Sequence, residues 1–303
     1  MSSTRTGIAP GPFDHRMAVF GSDDDFVAAA LPFLAEGLAA PGEPPPVAIA
    51  APGNLEALRD ALGADAKDIG FIEHTDWYTG SAANAVAQGA GYLAEQAGPG
   101  GRVHLVMEPV WGGRAGRSVR ESAEWIRYEA LANLLFAPMA TTVLCAYDTR
   151  TAGPAVVAEA RRAHPDTEVY EDPFRLAAEL DSVPLPPPGP DARRLTGGVA
   201  KDAVRAWANA RGLPLADAEL FAEAVTEAAA LGPVTGALLW GEAPVCVAEL
   251  SLARRIDDPL AGFVPPPAAE LEPGQGLWFA RQVCAYVDVR DGDGRSTVRL
   301  QYA

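Results

Sequence analysis

Apolar and polar positions along the first half of the chain follow two periods in turn. Ser22 precedes Asp23, Asp24 and Asp25, and then Phe26, Ala30, Phe33, Leu34 and Gly37 recur at helical spacing. This predicts a capped helix with its acidic residues at the positive end. PGEPPP stops it, and VAIAA (47–51) reads as a buried strand. A helix over 54–62, a strand at GFIEH (70–74), a helix over roughly 81–97 and a strand at VHLVM (103–107) follow. A long helix over roughly 118–136 then leads to TTVLCAYD (141–148), the most strand-like stretch of the chain. A helix over 155–163 and a short last strand at TEVY (167–170) complete the series, and MAVF (17–20) is its first strand. Short apolar strands alternating with helices predict a parallel sheet covered on both faces.

The pattern changes after DSVPLPPPGP (181–190), where five prolines in ten positions exclude a helix or a central strand and predict a semi-rigid linker. Beyond it, two helices (199–211 and 216–230) are followed by strand candidates at 236–241 and 245–252. A glycine pair then opens a helix within GQGLWFARQVCAYV (274–287), and a hairpin over 287–302 turns at Asp291–Gly294. This order predicts an α+β domain with helices on one face of an antiparallel sheet. The expected organisation is therefore one domain over 1–180, a linker over 181–190 and a second domain over 191–303.

Charge narrows the choice of partners. Residues 1–183 carry 25 Asp+Glu against 13 Lys+Arg, a net −12, and residues 184–303 carry 15 against 11, a net −4. Neither half has the basic footprint of direct nucleic-acid binding, and an anionic membrane would repel both. Cys145, Cys246 and Cys284 are widely spaced, with no CxxC pair, so neither a zinc site nor a redox pair is expected from them. The first residues, MSSTRTGIAPGPFDHR, contain no apolar signal segment, and no stretch is long and apolar enough to span a membrane. A cytoplasmic location with reduced thiols is expected.

Two sets of phrases resemble known families. DHRMAVFGSDDDF (14–26), PFLAEGL (32–38), MEPVWGGR (107–114), RYEALANLLF (127–136) and LCAYDT (144–149) resemble the MEDS sensory domain of methanogens and methylotrophs. That resemblance covers most of residues 14–170 and implies a RecA-like parallel-sheet sensor. In the second half, Glu227 within AEAVTEAA, RIDDPLAG (255–262) and GQGLWFARQVC (274–284) resemble the ATPase domain of histidine kinases and of anti-sigma serine kinases. This implies a Bergerat-like fold. Proteins with both parts in this order resemble actinobacterial anti-sigma regulators.

The departures from those families bear on activity. The ATPase family implies an Mg²⁺-ligating Asn four residues after Glu227, and Leu231 stands there. It implies an adenine-reading Asp and a Gly where this chain has Leu252 and Arg254. Leucine cannot accept the adenine hydrogen bond, and without Mg²⁺ phosphoryl transfer loses its main charge neutraliser. Glu227, Gly274 and Gly276 remain as a vestigial nucleotide site, the glycines at a helix start suited to phosphate. In the first half GSDDDF (21–26) sets three carboxylates where a phosphate loop would need glycines and a lysine. No nucleophile signature is present, so no catalytic residue, metal or cofactor is expected.

Ligands of open parallel sheets bind beyond the carboxyl ends of the strands. His15, Glu108, Trp111, Glu129, Tyr147 and Asp148 lie near such ends or within the matching phrases, and they are the candidate small-molecule site. Trp111 also reads as core and Asp148 as a helix cap. Cys145 reads as an inert buried thiol, and His74, His104 and His164 show no metal-ligand spacing. The function expected is a signal-responsive regulator: the first domain senses a small molecule, and the second, a pseudo-ATPase, binds a sigma factor or its antagonist. An active serine/threonine protein kinase of the anti-sigma type is the alternative, and homodimerisation is left open. Leu231 and Leu252 lead to the expected outcome that calorimetric titration detects no micromolar ATP binding with Mg²⁺ present. A micromolar, Mg²⁺-dependent isotherm would contradict it.

Overall fold

The computed structural model describes residues 12–96, 101–112, 118–196, 198–264 and 276–303. The chain divides into two compact units, Met1–Thr79 with Gln88–Leu176, and Gly80–Ala87 with Ala177–Ala303.

Elements run in the first part of the chain as β1 (Phe13–Phe20), α1 (Asp23–Leu38), β2 (Val47–Ala50), α2 (Pro52–Leu62), β3 (Gly70–Glu73), α3 (His74–Trp77), α4 (Ala82–Gln96), β4 (Val103–Met107), α5 (Val119–Leu135), β5 (Thr141–Asp148) and α6 (Thr149–Ala163). The five strands form one parallel sheet in the order β1-β5-β4-β2-β3. Central β5 is buried at every position, which explains why its sequence is a continuous apolar run with no alternation. One face of the sheet presents Ala48, Ala50, Val106, Leu144 and Ala146 to Phe26, Ala30, Phe33 and Leu34 of α1 and Leu55 and Leu58 of α2. As expected, Ser22 caps α1, its hydroxyl accepting from the Asp25 N–H at 3.2 Å.

The opposite face matters for function. Side chains alternate across a strand, and the register sets His15 opposite Val143 and Met17 opposite Cys145. His15, Val143, Cys145, Leu105 and Met107 share the face turned to α5. The stretch 167–170, expected as a last strand, is a turn instead. Thr167 Oγ1 donates to the carbonyls of Arg161 and His164, which folds this stretch back onto the end of α6. Val169 and Tyr170 are left exposed.

The later elements are α7 (Pro173–Asp181), β6 (Arg193–Arg194), α8 (Lys201–Ala210), α9 (Leu215–Ala229), β7 (Val234–Glu242), β8 (Val245–Leu252), α10 (Leu277–Val283), β9 (Tyr286–Gly292) and β10 (Arg295–Tyr302). The strands make a separate antiparallel sheet in the order β6-β7-β8-β10-β9. Phe221, Val225 and Ala228 of α9 and Leu277 and Ala280 of α10 pack in one core with Leu239, Ala248, Leu250, Val298 and Leu300 of the sheet. The β9–β10 hairpin turns through Asp293 and Gly294 at φ 47° and 75°, the left-handed pair that Asp-Gly adopts readily. The proline run has no regular structure, but the Pro186 carbonyl accepts from Arg299 Nη1 at 2.7 Å. Asp191 is ion-paired with Arg211 and accepts from the Gly241 N–H at 3.0 Å. The end of that run is therefore tied to the antiparallel sheet.

Among the described residues, no helix is long and apolar enough to cross a membrane. Phe221 is fully buried, so Phe221→Ala should lower stability by about 3–5 kcal/mol in urea unfolding. A loss below about 1 kcal/mol would mean that α9 is not the keystone of its core.

Candidate functional site

The most polar part of the first unit's interior lies between β1, β5, α5 and the end of α6. The carboxylate of Glu129, on α5, is buried there. His15 Nε2 lies 3.4 Å from Glu129 Oε2, and His164 Nε2 lies 3.8 Å from the same oxygen. Cys145 Sγ is 3.8 Å from Glu129 Oε2 and 3.3 Å from His15 Nε2. The His15 and His164 rings are 4.1 Å apart, and Tyr147 meets His164 edge-on at 5.8 Å. All five residues are buried.

Local structure explains the convergence. Cys145 and Tyr147 are two apart on β5 and share a face, with His15 beside them on β1. Glu129 and Asn133 are one turn apart on α5. Asn133 Nδ2 donates to the Ala163 carbonyl at 2.7 Å, which leaves its Oδ1 to accept from His15 Nδ1 at 3.1 Å. His164 is the C-cap of α6, and its Nδ1 donates to the Ala160 carbonyl at 2.7 Å.

Burial disfavours the Glu129 carboxylate, but the hydrogen bond with His15 and the neighbouring His164 and Tyr147 outweigh it and hold its pKa below the usual value. Burial, with His15 alongside, pushes His164 down to about 3. Burial, followed by the charge of Glu129, raises the Cys145 thiol and the Tyr147 phenol well above their ordinary values. At neutral pH the cluster thus contains an ionised carboxylate beside a neutral His164, a neutral thiol and a neutral phenol. A cavity of about 30 Å³ adjoins it, walled by His15, Glu129 and Cys145 on the polar side and by Trp77, Tyr78 and Tyr128 on the aromatic side. Such a volume admits a water or two, or a ligand of very few heavy atoms.

Of the six residues expected to form the ligand site, the structure brings together His15, Glu129 and Tyr147. Glu108 stands at the start of α2, where its Oε2 accepts from the Ala51 N–H and from Asn54 Nδ2, each at 2.8 Å. Asp148 is the N-cap of α6, accepting from the Arg150 N–H at 2.8 Å and pairing with the Arg150 guanidinium. Trp111 is buried beyond β4. None of Glu108, Trp111, Tyr147 and Asp148 lines the cavity. The cavity sits against the face of the sheet, level with the first half of β1, and not beyond the carboxyl ends of the strands. Cys145, expected to be an inert buried thiol, Asn133, for which nothing was expected, and His164, expected to be no metal ligand, also belong to the cluster. The first two lie inside the matching phrases and were legible as polar partners. His164 lies outside them and carries no signal in spacing.

In the second unit, Gly274 lies outside the described residues. Gly276, the N-cap of α10, has an ordinary φ of −67°; its smallness serves close approach. A Cβ there would fall 1.9 Å from Glu227 Oε2 and 2.5 Å from Glu227 Cβ. A carboxylate thus faces the residue expected to receive phosphate. Leu252 is fully buried in the core, and Leu231 packs against it. Arg254 Nη1 donates to the Leu231 carbonyl at 3.1 Å and closes the end of α9.

Removing the Glu108 carboxylate should leave the Ala51 N–H and the Asn54 amide without their acceptor. Glu108→Ala should therefore cost about 1–3 kcal/mol in denaturant unfolding. Asp148→Ala should cost about 1 kcal/mol through the lost cap. Unchanged unfolding midpoints in both variants would show that neither carboxylate acts as described.

No curated protein and no solved structure matches the chain. Residues 14–165 match the family described as the MEthanogen/methylotroph, DcmR Sensory domain, MEDS. The match begins one residue before His15 and ends one residue after His164, so it spans every member of the buried cluster, and the chain belongs to the MEDS family.

Proposed function

We propose that the chain is a signal-responsive regulator whose MEDS domain senses a small molecule in the chamber beside Glu129. Its second domain passes the state of the first to a protein partner, a sigma factor or a sigma-factor antagonist. The observation that carries the reading is the partly open cavity itself. Aromatic walls supply apolar area, and His15, Glu129 and Cys145 supply the few polar groups that fix a ligand's orientation. The small volume favours a compact ligand of few heavy atoms, unless the walls move on binding.

For the second domain, two helices, two strands, a helix and a closing hairpin succeed one another as the Bergerat-like reading expects. Leu231, Leu252 and Arg254 support a domain that keeps this frame without its nucleotide chemistry. The acidic surface of the chain suits a basic face on a protein partner. The RecA-like ancestry of the first domain and a semi-rigid linker over residues 181–190 belong to the same proposal.

Native mass spectrometry of the full chain tests the sensor. The expected result is a mass excess of one small organic molecule per chain, lost in Glu129→Ala. A bare chain mass, under conditions that preserve known weak complexes, would count against sensing in this chamber. Affinity capture with purified sigma factors and antagonists tests the second domain, and failure of every pair to associate would remove the proposed partner.

A further inference from the structure

Four buried donor atoms in the MEDS domain are arranged as metal ligands. His15 Nε2, Glu129 Oε2, Cys145 Sγ and His164 Nε2 all lie within 4.8 Å of one another. The hydrogen bonds of the two histidines fix which ring nitrogen is left to face a metal. His164 Nδ1 is the only ring nitrogen that can donate to the Ala160 carbonyl, and its Nε2 has no hydrogen-bond partner although fully buried. Asn133 spends its amide hydrogens on backbone carbonyls, so its oxygen must accept from His15 Nδ1. Both imidazoles therefore present Nε2 to the carboxylate and the thiol. Histidines that ligate metals are held in this way, with the second nitrogen donating to a carbonyl oxygen.

The distances agree with this arrangement. Zinc bonds to N, O and S are about 2.0–2.3 Å, so the edges of a tetrahedron around the ion measure about 3.3–3.8 Å. The observed separations of 3.3, 3.4, 3.8 and 3.8 Å fall on those edges. The other two pairs, both involving His164 Nε2, are within 4.8 Å. We propose that His15, Glu129, Cys145 and His164 bind one divalent zinc ion at the floor of the MEDS chamber. Two imidazoles, a carboxylate and a thiolate form a mixed N, O and S set suited to tetrahedral zinc. On binding, the Cys145 S–H bond breaks, its proton and any proton that His15 Nε2 shares with Glu129 leave to solvent, and the sulfur and nitrogen keep their electron pairs for the metal. The dication then balances one carboxylate and one thiolate, so the filled site is neutral, as a buried site should be. Because His15, Glu129 and Cys145 also wall the cavity, a molecule bound there would lie against the ion, and zinc can expand to a fifth ligand. The inference does not depend on the regulatory reading: the ion can bind whether or not a partner protein exists.

The test uses the full chain, stripped with a chelator, reconstituted with zinc or cobalt(II) and desalted. The expected result is one ion per chain. The cobalt form should show the intense visible bands of tetrahedral coordination and a thiolate-to-metal charge-transfer band in the near ultraviolet. Cys145→Ser should abolish the charge-transfer band, and Asn133→Ala, which releases His15, should weaken binding about 10–100-fold. A chain with native circular dichroism that takes up no stoichiometric ion would overturn the site. So would an octahedral cobalt spectrum, or a charge-transfer band unchanged by Cys145→Ser. The spectrum of the unmutated chain decides the matter even if a variant fails to fold.

Discussion

Glu129 is the constraint around which the first unit is arranged. A carboxylate removed from water costs several kcal/mol unless opposite charge or hydrogen bonds replace its hydration. Here the replacement comes from two other elements: His15 on β1, and Cys145 and Tyr147 on β5. Each must hold its position for the carboxylate to remain compensated, and Asn133 ties α5 to α6 and β1 by bonding both Ala163 and His15. The directional bonds of this polar cluster specify one packing of helix on sheet, which an all-apolar interface of the same size would define less sharply. The cost of the buried charge and the precision of the chamber therefore have the same origin.

The sheet and helices of this unit were legible because burial on both faces leaves continuous apolar strands, and because Ser22 and the prolines mark helix boundaries. The strand expected at 167–170 failed on local chemistry. Val169 and Tyr170 have strand propensity, but Thr167 bonds back to α6 and keeps the chain in a turn. The candidate site was legible in part. His15, Glu129 and Tyr147 stood in phrases shared with the family, whereas Glu108 and Asp148, equally polar, serve helix starts. Residue type alone cannot separate a cap from a ligand, since both need a carboxylate near the end of a strand. His164 was illegible because its place depends on where α6 ends, and helix ends are the least certain feature of a sequence reading.

The second unit closes its own core. Phe221, Leu250, Leu252 and Leu300 pack helices on an antiparallel sheet in one core. Leu252 is buried in that core and Leu231 packs against it. Arg254 adds a hydrogen bond to the end of α9. The close approach of Glu227 requires a glycine at Gly276.

The central claim is that four donors on β1, α5, β5 and the end of α6 converge on one point inside the MEDS domain. Anomalous diffraction at the zinc absorption edge, on crystals of the full chain grown with zinc, tests this most directly. The account predicts a single anomalous peak about 2.0–2.3 Å from His15 Nε2, Glu129 Oε2, Cys145 Sγ and His164 Nε2. Well-ordered side chains with no peak between them, or a His164 ring turned away from Glu129, would contradict it.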